Sequence, residues 1–403
     1  MTLDRSDHDR MIETVEHEGS APVARLVLLV SSMGKGGAER VAATLCSAWA
    51  LRGITVMLVP TYLGSRELAY PLASSVQFRF LADLGDFSGR SRPGVFLDKV
   101  RAVRRLVRDF QPDVVVAFLP SVAMLGIIAT RGTGVPVIAC ERTDPAGGVE
   151  LPWFAHVARL FLYPFADRVV AQTRAAADRF EKRLLGLCRV GVVQNPLPAE
   201  LETSTLRANP GGSPGLVLAV GRLSNEKGFD RLIEAFALGF DDLPDWRLEI
   251  WGDGPLRAEL EKAIGLRGLA GRVHLRGRTD KPWEVMSRAQ IFALTSEFEG
   301  FPNAMLEAMA LGVATVAFDC NSGPRDLTDG GRVGVLVAPA DVASLARALR
   351  ALADDPGRRA ELGASGMSFV REAFSEAAVL ASWDALFGSV VTRRTTEQAK
   401  AVR

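Results

Sequence analysis

The sequence is poor in cysteine, in net charge and in long apolar runs, and each lack removes a class of protein. Only four cysteines occur in 403 residues, at Cys46, Cys140, Cys188 and Cys320. They stand far apart without metal-ligand spacing, so they read as reduced, mostly buried thiols of a cytosolic protein. The formal net charge is +1, which argues against a dedicated nucleic-acid binder, where a basic excess is expected. The longest uncharged run, Val114 to Thr130, falls short of a membrane span and is broken by Pro120-Ser121. A buried strand, a turn and a helix account for it. Residues 1–24 are polar and acidic, include His8 and His17, and lack the basic start and apolar middle of a signal peptide. The expectation is a disordered tail and a cytoplasmic chain.

What is present is enough for a full core. Hydrophobic residues make up 48% and charged ones 24%, and at about 150 residues per domain the length predicts two or three domains. Short apolar runs alternate with amphipathic stretches, the pattern of an α/β chain with doubly wound parallel sheets. In the first half the strands fall at Leu26–Val30, Ile54–Val59, Val76–Phe80, Val114–Phe118, Val135–Ala139, Arg168–Ala171 and Gly191–Val193. Pro196, Pro198 and the run from Asn209 to Gly215 form the clearest composition shift, marking a linker over 197–215 between domains at 25–196 and 216–374. A last helix is expected over 375–391, followed by a tail at 392–403.

Several turns between strand and helix carry residues suited to an anionic ligand. After the first strand, Gly34, Gly36 and Gly37 let the backbone approach a phosphate or sugar closely, with a helix amino terminus behind them; an ordinary tight turn is the alternative. After Leu216–Val220 comes Gly221-Arg222-Leu223-Ser224-Asn225-Glu226-Lys227-Gly228. Two cations five residues apart suit a diphosphate, Arg222 as a fork and Lys227 as a mobile point charge. Gly252-Asp253-Gly254-Pro255 closes the strand at Arg247–Ile250 and opens the next helix, with proline at its first position. The run Ile291–Leu294 leads through Glu299-Gly300-Phe301-Pro302-Asn303 into a helix over Ala304–Leu311 that holds Glu307. Glu299 in the turn and Glu307 within the helix can grip separate parts of one elongated ligand. They read as hydroxyl acceptors, not an acid/base pair.

Other readings stay open at this level. Glu141, Arg142 and Asp144 follow the strand at Val135–Ala139 and are candidates for contact with the acceptor or donor sugar, or for a salt-bridged loop. His156 shares an apolar helix face with Trp153, Leu160 and Phe161 and reads as a packed core histidine. Arg101, Arg104, Arg105 and Arg108 flank the apolar stripe of a helix over Val95–Phe110, which is either a solvated outer face or a contact with anionic lipid.

Taken together, Glu-Gly-Phe-Pro with Leu-Glu-Ala-Met-Ala at 299–310, Gly-Gly-Ala-Glu-Arg at 36–40, Gly-Arg-Leu…Glu-Lys-Gly at 221–228, Gly-Asp-Gly-Pro at 252–255 and Gly-Pro-Arg-Asp at 323–326 resemble, in order, the motifs of family 4 retaining glycosyltransferases. In the last of these, Asp326 stands where the family has glutamate. The resemblance implies the GT-B fold, two Rossmann-like domains facing a central cleft, with the 375–391 helix crossing back to the first. It implies retaining transfer of a hexose or N-acetylhexosamine from a nucleotide-sugar, UDP-linked, to a hydroxyl of a lipid-linked or polysaccharide glycan, without metal or other cofactor. Arg222, Lys227 and Glu299 would be catalytic. Gly36, Gly37, Gly221, Gly252, Gly254, Arg278, Gly300, Phe301, Pro302, Asn303 and Glu307 would bind the donor, with Glu307 on its ribose. A nucleotide-sugar epimerase, or a protein that binds such a donor without turning it over, shares the fold and is the alternative. Peripheral contact with the inner face of the membrane, through the first domain, is a further expectation.

Overall fold

A computed structural model describes residues 23–88, 91–142, 153–188, 190–209 and 215–401, with backbone alone at 153–154 and 393–401. Residues 1–22, Asp144 and the 210–214 part of the linker therefore lie outside the described residues.

Two parallel sheets organise the chain. The first holds β1 (Arg25–Val30), β2 (Thr55–Pro60), β3 (Gln77–Phe78), β4 (Val114–Phe118), β5 (Val137–Cys140), β6 (Arg168–Ala171) and β7 (Val190–Val192), in the order β3-β2-β1-β4-β5-β6-β7. The second holds β8 (Leu216–Val220), β9 (Arg247–Trp251), β10 (Val273–Gly277), β11 (Ile291–Leu294), β12 (Ala314–Phe318) and β13 (Val335–Val337), in the order β10-β9-β8-β11-β12-β13. Helices cover both faces of each sheet, which is why the central strands read as unbroken apolar runs: Leu26 to Val30 and Val114 to Phe118 are wholly buried. Each order reverses once, between β1 and β4 and between β8 and β11. Such reversals open a crevice at the carboxyl ends of the strands, where open α/β sheets bind ligands.

The uncharged run from Val114 divides into β4 and a buried helix, Pro120–Thr130. The neighbouring helix, Arg92–Phe110, buries Val100, Val103, Leu106, Val107 and Phe110. Arg104 turns inward as well, donating to the Ile128 and Ala129 carbonyls at 2.9 and 3.0 Å and so capping the buried helix.

Three expectations change. The 197–215 segment is no free tether up to Asn209, because Leu197 and Leu201 are wholly buried in the second domain's core. Leu201 lies on the short helix Ala199–Glu202, and Leu197 just ahead of it. His156 is exposed rather than packed in the core. The inward positions of its helix, Trp153–Leu162, go instead to Ala155 and Arg159, and Phe161 is 68% exposed. The last helix runs over Glu376–Ala401, so most of the expected tail at 392–403 is helical. That helix lies on the first domain, where Trp383 and Phe387 pack against Trp49 with ring centroids 5.4 and 5.6 Å away. The two crossings between domains run side by side, the Leu197 N–H donating to the Phe374 carbonyl at 2.7 Å.

Candidate active site

The turns singled out in the sequence lie at the carboxyl ends of the strands flanking the second reversal, and backbone contacts lock them together. Gly252, at φ 142, packs so closely that a Cβ would stand 1.8 Å from the Gly221 carbonyl oxygen. At Gly254 a Cβ would meet the Leu223 carbonyl oxygen at 2.3 Å. The Leu223 N–H donates to the Asp253 carbonyl at 3.1 Å, and the Gly252 N–H to that of Gly277 at 2.7 Å. The turns after β8, β9 and β10 are thus one rigid surface, and the glycines are there because no side chain fits between them. Arg222 projects from it, exposed and without a side-chain hydrogen bond. Arg278, also exposed, follows β10 at the rim of the same surface. The Asp253 carboxyl is held below the usual range by its hydrogen bond from Arg257 and by the Gly254 N–H.

A second set of contacts joins the turn after β8 to the turn after β11. Gly228 adopts a left-handed conformation with φ 59, and its Cβ would stand 2.4 Å from the Thr295 carbonyl oxygen. The Thr295 hydroxyl donates to the Lys227 carbonyl at 2.9 Å, and the Glu297 N–H to the Glu226 carbonyl at 2.9 Å. These bonds bring the Lys227 Nζ to 2.7 Å from Glu299 Oε1, with the two side chains only 23% and 10% exposed. The Ser296 hydroxyl donates to the same carboxylate oxygen at 2.7 Å. Ser322, from the turn after β12, donates to the Glu299 carbonyl at 2.5 Å. Beside it Gly323, at φ 95, packs against Pro302. In the same segment burial raises the Asp326 carboxyl above its ordinary range.

The first domain closes over this surface with the turns at its own carboxyl edge. A Cβ on Gly37 would lie 3.1 Å from Asn303 Nδ2, and one on Gly300 would strike the Arg142 carbonyl oxygen at 2.3 Å. Asn195 donates to Asn303 Oδ1 at 2.8 Å and accepts from Arg142 and Gln172 at 2.6 Å each. Arg142 lies 3.6 Å over the Phe118 ring, and desolvation pushes its guanidinium down to about 10. Its Nε and Nη2 are buried without partners. Gly36 caps the helix Gly37–Leu51, where Glu39 folds back to accept from Ser32 at 3.0 Å. Phe301 turns inward and packs on Phe374, 5.6 Å between centroids.

Glu141 does not reach the cleft. It is 2% exposed and accepts from Arg159 at 2.6 Å and from the Tyr163 hydroxyl, inside the first domain. Burial raises its carboxyl despite those partners. The salt-bridged reading of this loop therefore describes Glu141, while Arg142 alone of the described pair faces the second domain. Glu307 is buried, accepting from Trp283 Nε1 at 2.9 Å on one oxygen and from Arg40 on the other. Trp283 and Ser296 have no sequence signature that singles them out. Arg40 stood inside the Gly-Gly-Ala-Glu-Arg element, but nothing local to it names a partner 267 residues away.

The comparisons with known proteins divide at the same boundary. A family model described as Glycosyltransferase Family 4 matches residues 35–201, and one described as Glycosyl transferases group 1 matches residues 207–368. An exopolysaccharide phosphotransferase of Streptomyces coelicolor is 30% identical over 75% of this chain, a stretch that takes in only 31% of that protein. An α-1,4-N-acetyl-D-galactosaminyltransferase of Campylobacter jejuni, named for an oligosaccharide on PP-undecaprenol, is 27% identical over 84% of this chain and 91% of its own length. In fold, the chain is similar to HepE of Anabaena in complex with UDP, with a TM-score of 0.69 and 18% identity over 94% of this chain and 100% of that one. One family model for each domain, in this order, and two sheets meeting at a shared cleft lead to one conclusion: the chain belongs to the GT-B glycosyltransferases of the family 4 kind.

Proposed function

We propose that the enzyme transfers a hexose or N-acetylhexosamine from a UDP-sugar to a hydroxyl of a lipid-linked or polysaccharide glycan, with retention at the anomeric carbon. The observation that carries this reading is the Lys227–Glu299 pair, its lysine on the turn that also carries Arg222 at the second sheet's reversal, a place that serves both a diphosphate and a sugar. The bond from the anomeric carbon to the diphosphate oxygen breaks, leaving an oxocarbenium-like sugar. Arg222 and Lys227 meet the negative charge that grows on the diphosphate, with the N–H groups at Gly36, Gly37 and Phe301 to Asn303. The new bond forms to the acceptor oxygen on the same face, and its proton passes to the departing phosphate oxygen. Glu299 accepts from sugar hydroxyls and Glu307 from the ribose. No protein nucleophile takes part.

A panel of nucleotide-sugars tested for thermal stabilisation names the donor, since only a ligand that binds the folded state raises the midpoint. UDP-sugars should stabilise and the product should keep the donor's anomeric configuration by NMR. Stabilisation by no nucleotide-sugar would remove the reading, and donor turnover without any acceptor would replace it with epimerisation.

The Arg92–Phe110 helix supports contact with an anionic membrane face. Arg101, Arg105 and Arg108 point outward, and Phe96 and Leu97 beside them are 38% and 54% exposed. The protein should pellet with vesicles containing phosphatidylserine and release in high salt, and Arg105→Glu with Arg108→Glu should abolish pelleting. Equal recovery on neutral vesicles would argue for an ordinary solvated face.

A further inference from the structure

The Glu307 carboxylate is shared between two domains. Its Oε2 accepts from Trp283 Nε1 at 2.9 Å, a partner of the same domain. Its Oε1 accepts from Arg40 Nη1, which belongs to the first domain and reaches across the cleft. The carboxylate side chain is only 4% exposed and the arginine 30%. Arg40 is braced on its own side by Tyr70, whose ring lies 5.4 Å from the guanidinium carbon.

These partners do unequal work. The indole N–H fixes one oxygen whatever the domains do. The other oxygen depends on a side chain that leaves whenever the cleft opens. A carboxylate this deeply buried is costly to strip of its ion-pair partner, so Arg40 departs readily only when another donor replaces it. The group that calls for Glu307, on the reading above, is the hydroxyl of a ribose.

We infer that Arg40 is a placeholder for the donor's ribose: it holds Glu307 across the cleft and is exchanged for the nucleotide on binding. The inference rests on the assignment of Glu307 to the ribose. Other contacts across the cleft are independent of it. Asn195 holds Asn303 at the start of the same helix, and Lys35 meets Asp280 at 2.9 Å between exposed side chains. Closure therefore does not depend on Arg40 alone, but occupancy of Glu307 by a nucleotide requires Arg40 to leave it. Trp283 is a positioning residue here, because by holding Oε2 it leaves Oε1 as the one exchangeable acceptor.

Such a contact multiplies apparent affinity by the fraction of molecules in which it is released. Calorimetric titration with UDP reads that fraction directly. Arg40→Met keeps the aliphatic stem and removes the charge, and it should bind UDP about tenfold more tightly than the wild type. Arg40→Gln, which keeps a weaker donor, should tighten binding by less. Glu307→Gln should weaken binding whether or not Arg40 is present. If both Arg40 variants bind UDP as the wild type does or more weakly while Glu307→Gln weakens it, the placeholder is overturned and the ribose assignment stands. If Glu307→Gln leaves UDP affinity unchanged, the ribose assignment falls and the placeholder with it. A merely structural role for Arg40 would not tighten binding in either variant.

Discussion

Lys227→Ala should lower kcat about 10²–10³-fold, the cost of removing one pre-organised charge from a site of transition-state stabilisation. The side chain is placed for this by contacts that do not involve its ammonium. The left-handed Gly228, the bond from Thr295 Oγ1 to the Lys227 carbonyl and the bond from the Lys227 N–H to the Ser224 carbonyl all act on the backbone of the turn. They survive the substitution. Glu299 keeps its bond from Ser296 at 2.7 Å, so the unfolding midpoint should move by no more than a few degrees. Steady-state kinetics beside a thermal melt separate the outcomes: unaltered turnover would take Lys227 out of the mechanism, whereas a collapsed melt would mean that its pairing with Glu299 is structural.

Gly252→Ala tests the scaffold instead of the charge. The added Cβ would stand 1.8 Å from the Gly221 carbonyl oxygen at a φ of 142, which a side chain rarely adopts. The turn must move, and Arg222 stands on the strand-end turn it would push. A displacement near 1 Å at a catalytic group costs about 10²-fold in rate, and the strain should lower stability by about 1–3 kcal/mol. Activity should therefore fall further than the melt alone explains at temperatures where the variant is folded. A variant with wild-type activity and stability would mean that the two turns are not packed as described.

Much of this architecture is legible in the residues because parallel strands under helices are apolar on both faces. Leu26–Val30, Val114–Phe118 and Leu216–Val220 announce themselves by composition alone. The glycine turns are equally legible, since Gly228, Gly252 and Gly323 sit where positive φ or direct backbone contact leaves no room for a side chain. What the residues conceal is pairing at long range. Arg40 with Glu307 and Asn195 with Asn303 depend on which turns the two sheets bring together, and Arg159 with Glu141 on how a helix packs within the first domain; no local period encodes either. His156 misleads for a related reason: an apolar neighbourhood suggests a core face, but the buried Glu141 draws Arg159 inward and turns His156 out. The 197–209 segment misleads through its prolines, which mark the exit from the first sheet and conceal two leucines that anchor the second domain.

The proposed mechanism requires the donor's diphosphate to lie between Arg222 and Lys227. A crystal structure with bound UDP measures this directly. Phosphate oxygens should lie within about 3 Å of the Arg222 guanidinium and the Lys227 Nζ, with the ribose hydroxyls on Glu307 and Arg40 withdrawn from it. UDP bound elsewhere in the cleft, with Lys227 still paired to Glu299 and Arg222 in solvent, would contradict it.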